Sequence, residues 1–146
     1  MTGPNRFAGK LSPSFTWDMA ACAQGIETWR RTVALVLRSW GASDAAVEVT
    51  RLGVSELLSN VVRHVDDPLC RLSVVLDGAR VRVLVEDRSP CVPKFAEPTW
   101  NAVSGRGLWM LRAMCQGFGC EPGADRKTMW FAVDLDPAEP VERAVA

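Results

Sequence analysis

Glu56, Asn60 and His64 follow one another at four-residue intervals within Glu56-Leu57-Leu58-Ser59-Asn60-Val61-Val62-Arg63-His64. On a helix this spacing puts a carboxylate, a carboxamide and an imidazole on one face. Groups of these types bind metals and move protons. Where they interrupt a core stripe each needs a partner, and a bound ligand is one candidate. The same spacing also fits an amphipathic helix whose polar side is solvated. Two further stretches carry chemistry. Asp87 closes a β-branched run just ahead of Ser89-Pro90, where an aspartate can offer a buried acceptor or simply end a strand. Gly105-Arg106-Gly107-Leu108 opens an apolar periodic segment. Glycines at a helix entrance permit close backbone approach, and the free N–H groups of a first turn favour anionic oxygens. Paired glycines also occur at helix starts that bind nothing.

The elements that must position these residues are legible from periodicity. Ser14 to Met19 alternates as an edge strand. A helix follows from about Ala23 to Trp40, with Ile26, Trp29, Val33, Leu37 and Trp40 at helical spacing and Gly41 as its stop. Ser43 or Asp44 caps a longer helix that carries Glu56, Asn60 and His64 and ends before Pro68. Cys70 to Leu76 and Val81 to Glu86 are strands joined through Asp77-Gly78-Ala79-Arg80, a hairpin signal. Pro90, Pro93 and Pro98 keep the next connection irregular, and its length suits a functional loop or lid. The helix at Gly107 should turn Leu108, Leu111, Ala113 and Met114 inward and end near Gly117. Strands from Phe118 to Glu121 and Thr128 to Leu135 close the chain around a turn at Gly123. The order β-α-α-β-β-loop-α-β-β predicts the α+β class: a two-layer α/β sandwich with a mainly antiparallel mixed sheet and helices on one face.

The 146 residues suit one domain, 14–136, between flexible ends at 1–13 and 137–146. Seventeen basic and 17 acidic residues cancel, so no global field draws nucleic acid or an anionic membrane. No apolar run is long enough to span a bilayer, and a cytoplasmic protein is expected. The five cysteines form no Cys-x-x-Cys pair and read as reduced thiols, with Cys91 in a loop where it could react. The six tryptophans are spread from Trp17 to Trp130 and suit core and rim positions.

Taken in order, Glu56-x-x-x-Asn60, Asp87 and Gly105-x-Gly107-Leu108 resemble the nucleotide-binding boxes of the ATPase superfamily shared by gyrase, MutL and sensor histidine kinases. The likeness spans roughly residues 15 to 135 and is nearest to the stand-alone bacterial anti-sigma-factor serine kinases, in which a histidine follows the first box as His64 does here. Lys127-Thr128 before Met129-Trp130-Phe131 resembles the last strand of that family. The chain departs from the superfamily pattern Asp-x-Gly-x-Gly, with Ser89 and Cys91 at the glycine positions, although an Asp-x-Ser-Pro form also occurs among the stand-alone proteins.

The resemblance implies a Bergerat-type ATP-binding fold and cofactors ATP and Mg²⁺. It gives Glu56 the catalytic role of accepting a hydroxyl proton, and Asn60 that of the metal ligand. Asp87 would read the adenine amino group. Gly105, Arg106, Gly107 and Leu108 would bind the phosphates, and Thr128 would lie near adenine and Asp87. His64 is left a capping or hydrogen-bonding part. The implied activity is a protein serine/threonine kinase that phosphorylates a small antagonist, an anti-anti-sigma-like protein. It would also bind a sigma factor, work as a homodimer and regulate transcription by partner switching. The other reading is a non-catalytic module of the same fold that sequesters a regulatory partner. The connection from Pro90 to Ser104, much shorter than the ATP lid of the large members of the superfamily, suits either: a lid open to a protein substrate, or a domain that no longer turns over ATP.

Overall fold

The computed structural model describes residues 12–92 and 106–136. Residues 1–11 of the expected flexible N-terminus, the expected flexible C-terminus, Gly105 and most of the connection before it lie outside the described residues. Among the described residues there are five strands and three helices: β1 Ser14–Ala20, α1 Ile26–Ser39, α2 Asp44–His64, β2 Leu69–Asp77, β3 Arg80–Asp87, α3 Arg106–Met114, β4 Gly117–Pro122 and β5 Lys127–Asp134. A single 3₁₀ turn, Ala23–Gly25, leads into α1. The sheet order is β1-β2-β3-β5-β4. All four pairings are antiparallel, in keeping with the mainly antiparallel sheet expected from the sequence. Connectivity explains this. Two helices lie between β1 and β2, so the chain re-enters the sheet reversed, while β2-β3 and β4-β5 are direct hairpins.

The β2-β3 hairpin turns on Gly78 and Ala79, since Asp77 and Arg80 are paired. Gly78 has a φ of 63°, and Ala79 does not have positive φ. That is the type II′ pattern, in which glycine takes the first central position.

Alternation along the strands decides which residues enter the core. In β3, Val81, Val83, Val85 and Asp87 are buried, and in β5 Lys127, Met129, Phe131 and Val133 are buried. Against this face lie Val33, Ala34 and Leu37 of α1, with Val47, Val54, Leu57, Leu58 and Val61 of α2. Ser43 caps α2 by accepting a hydrogen bond from the Ala46 N–H at 3.1 Å. At the β1 edge, Phe15 stacks on Trp17 and Trp17 meets Trp29, so these tryptophans do serve as rim.

α3 is buried less than its sequence suggests. Leu111 is fully buried and Leu108 half-buried, but Ala113 and Met114 are exposed. Ala113 is about 200° around the helix from Leu111, and Met114 is the last helical residue, where the chain leaves the core. Leu111 and Leu108, three residues apart, form the whole inward line.

Candidate functional site

The topology gathers the candidate residues at one end of the sheet. α2 ends at His64 and passes through only four residues to Leu69, the first residue of β2. Leu69 pairs with Ala20, the last residue of β1, and Cys70 pairs with Asp87, the last of β3. Lys127, the first residue of β5, pairs with Asp87 from the other side. Arg88 donates to Asp67 at 3.2 Å, and the Ala21 N–H donates to the Pro68 carbonyl at 2.8 Å. The C-terminal half of α2 and the Asp87 end of the sheet are thereby fastened together.

On α2, Asn60 falls between Leu57 and Val61 on the buried side and is 6% exposed. Glu56, one turn earlier, is half-buried. Burial raises its pKa above the ordinary 4.5, with the Arg63 charge partly offsetting the rise. His64 is exposed. With Arg63 it places positive or polar groups in the last turn, where the helix dipole favours them.

At the start of α3, a Cβ built on Gly107 would collide with the Glu56 carboxylate. The two residues, from separate helices, therefore touch, and only a residue without a side chain leaves Glu56 its place. Arg106 is exposed and Leu108 half-buried. The helix start and the carboxylate face one another, which places backbone N–H groups and a proton acceptor in one small region.

Asp87 is 1% exposed and Lys127 2%. The Lys127 ammonium donates to Asp87 Oδ2 at 2.9 Å and to Oδ1 at 3.1 Å, and Oδ1 also accepts the Ser89 N–H at 2.9 Å. The cause is the alternation already described: the frame that buries three valines of β3 brings Asp87 in, and the frame of β5 brings Lys127 in opposite it. A buried charge persists when it is paired and hydrogen-bonded. The Ser89 contact is an Asx turn, and the Ser89 hydroxyl in turn accepts from the Cys91 N–H at 3.2 Å. Among the described residues no non-glycine has positive φ, so Ser89 and Cys91 occupy the glycine positions without left-handed backbone.

Thr128 is placed otherwise than the family likeness implied. It pairs with Glu86, one step out of phase with Asp87, and therefore belongs to the sheet face turned away from the helices. The residue beside Asp87 is Lys127. Its signal was present in the sequence as a lysine in phase with Met129, Phe131 and Val133, but it becomes informative only once β3 and β5 are known to pair.

A cavity of about 480 Å³ opens at the same end of the sheet, lined by Met19, Cys70, Arg71, Asp87, Arg88 and Arg126 among others. Glu56, Asn60 and Gly107 are not in its walls, so its outline does not coincide with the α2-α3 contact. Burial, helped by the Asp87 charge, pushes the Cys70 thiol up to about 11, so it is a packing group at neutral pH. Among the described residues no three His, Cys, Asp or Glu side chains gather to hold a metal, and no helix is long and apolar enough to cross a membrane.

Comparison with known proteins agrees with this arrangement. The histidine kinase-like ATPase domain profile matches residues 19–131. The fold is similar to that in the crystal structure of the RsbU and RsbW domains of Rv1364c from Mycobacterium tuberculosis, with a TM-score of 0.65 and 21% identity. That match covers 84% of this chain and 32% of the other, so the chain spans about a third of the length of its structural relative. No curated protein matches it.

Proposed function

The chain belongs to the histidine kinase-like ATPase domain family, and we propose that it is an ATP-dependent protein serine/threonine kinase of the anti-sigma-factor type. In this reading it transfers the γ-phosphoryl group of ATP to a hydroxyl of a small antagonist protein in the cytoplasm, alternates between that antagonist and a sigma factor, and works as a homodimer. The observation that carries the reading is the contact between Glu56 and Gly107. It sets a proton acceptor against the helix start where phosphate oxygens would bind.

Each residue then has a definite task. Glu56 accepts the proton of the incoming hydroxyl, and its raised pKa makes it a stronger base than an ordinary carboxylate. Gly105, Arg106, Gly107 and Leu108 form the phosphate side, with backbone N–H groups as donors. Asp87 accepts from the base, and Thr128 takes no part from its place on the far face of the sheet. Asn60 would hold Mg²⁺. A single buried carboxamide, with no carboxylate cage among the described residues, suits an ion that keeps waters and takes its remaining ligands from phosphate. When bound there, Mg²⁺ would supply charge neutralisation for the phosphates.

Calorimetric titration with Mg-ATP is the first test. Binding in the micromolar to millimolar range that Asn60→Ala and Asp87→Ala each weaken is expected; no heat at millimolar nucleotide would sink the reading. Proteins that co-purify with the chain should then accept label from γ-labelled ATP, and Glu56→Ala should abolish the transfer. The second reading, a binding module without transfer, is favoured by the Asp87–Lys127 ion pair, because the carboxylate that would read the base already has a partner. It predicts partner capture without label.

A further inference from the structure

The hydrogen-bonding capacity of the Asp87–Lys127 pair is not exhausted by the contacts it makes. Asp87 Oδ1 accepts twice, from Lys127 Nζ at 3.1 Å and the Ser89 N–H at 2.9 Å, whereas among the described residues Oδ2 accepts only from Nζ, at 2.9 Å. A carboxylate oxygen has two lone pairs and an ammonium three N–H donors. With one N–H directed at each oxygen, one lone pair on Oδ2 and one N–H on Nζ are left over among the described residues. Among the described residues no second acceptor bonds the Lys127 ammonium. Both residues are almost fully buried, where unmet donors and acceptors are costly.

Purine nucleotides differ at C6. A 6-aminopurine offers a donor there with an acceptor at N1 beside it; a 6-oxopurine offers an acceptor at C6 with a donor at N1. A lone carboxylate accepts from the amino group and repels the carbonyl oxygen. A carboxylate with an ammonium beside it offers a partner to either arrangement. We infer that Lys127 reads the nucleobase together with Asp87, and that the site therefore accepts 6-oxopurine nucleotides as well as 6-aminopurine ones. The inference rests on the nucleotide-site reading above and adds the specificity of that site.

The test compares three magnesium nucleotides on the wild-type full chain by calorimetry, so it needs no variant to fold. Inosine triphosphate differs from ATP only along the edge in question, and purine riboside triphosphate carries hydrogen at C6. Inosine triphosphate should bind within about tenfold of ATP, and the C6-unsubstituted analogue about tenfold or more weaker than either. ATP binding with inosine triphosphate more than about tenfold weaker overturns the inference and leaves the nucleotide site standing; no binding by any of the three overturns that site itself. In Lys127→Met, inosine triphosphate should lose about tenfold more affinity than ATP. An equal loss for both assigns Lys127 to structure alone and overturns its part in base reading.

Discussion

The carboxylate of Glu56 occupies the space that a side chain at position 107 would fill. Two helices separated by over forty residues of chain meet at this contact, and it ties the placement of a proton acceptor to the absence of a single carbon atom. Gly107→Ala tests the dependence. Because Glu56 is flexible at its far end, the alanine can displace it, and alanine's higher helix propensity offsets part of the crowding. Stability by urea denaturation should change by no more than about 1 kcal/mol, while phosphoryl transfer should fall by about tenfold or more. A stability loss without an activity loss would show that the contact matters only for packing.

Titration of Glu56 gives a second prediction. Burial penalises its ionised form in the folded chain, so its contribution to stability is fully present below the ordinary value of 4.5 and is lost as pH rises through the higher folded value. Activity has the opposite sign, since only the carboxylate accepts a proton. Transfer should therefore rise with pH across a window that begins above 4.5. Glu56→Gln should flatten the stability profile in that window and lower the rate by about a hundredfold or more. Urea denaturation and initial rates across the same pH series check both halves.

The pair at the end of the sheet predicts strong coupling. Removing Lys127 alone strands a buried carboxylate, and removing Asp87 alone strands an ammonium, at about 3–5 kcal/mol each. Replacing both, as Asp87→Leu with Lys127→Met, should recover most of that loss, because an apolar pair has no desolvation penalty to offset. Denaturant midpoints of the two single variants and the double variant close the cycle; additive losses would mean that the two charges do not depend on each other.

Gly78 supplies a prediction about the frame of the sheet. Its φ of 63° disfavours any side chain, so Gly78→Ala should cost about 1–3 kcal/mol, read as a lower denaturation midpoint. Gly123 in the other hairpin has no positive φ, but a Cβ there would meet the Arg126 carbonyl oxygen at 3.1 Å, so Gly123→Ala tests crowding within the turn instead of backbone conformation.

Much of this architecture could be read from pattern. The 3.6-residue spacing of Val33 and Leu37 marked α1, the period-two valines marked β3, and Ser43 marked the start of α2. The order of Glu56, Asn60, Asp87 and the Gly107 turn pointed to the nucleotide-binding family. What could not be read were relations between strands and between helices. Lys127 and Thr128 are neighbours in sequence, and only the pairing of Asp87 with Lys127 shows that the first faces the core and the second turns away. Met114 has the correct spacing for burial, yet the helix ends before the core reaches it.

Gly53 lies against the buried ring of Phe131, with no room for a Cβ between helix and strand. The far end of the Phe131 ring thus sets the clearance between α2 and β5 at that point, and Glu56 and Asn60 follow within the next two turns. A substitution at position 53 or 131, touching no nucleotide and no partner, would lift or lower the entire length of helix beyond it. Such a change would alter how far Asn60 and Glu56 reach while leaving every residue of the site chemically intact.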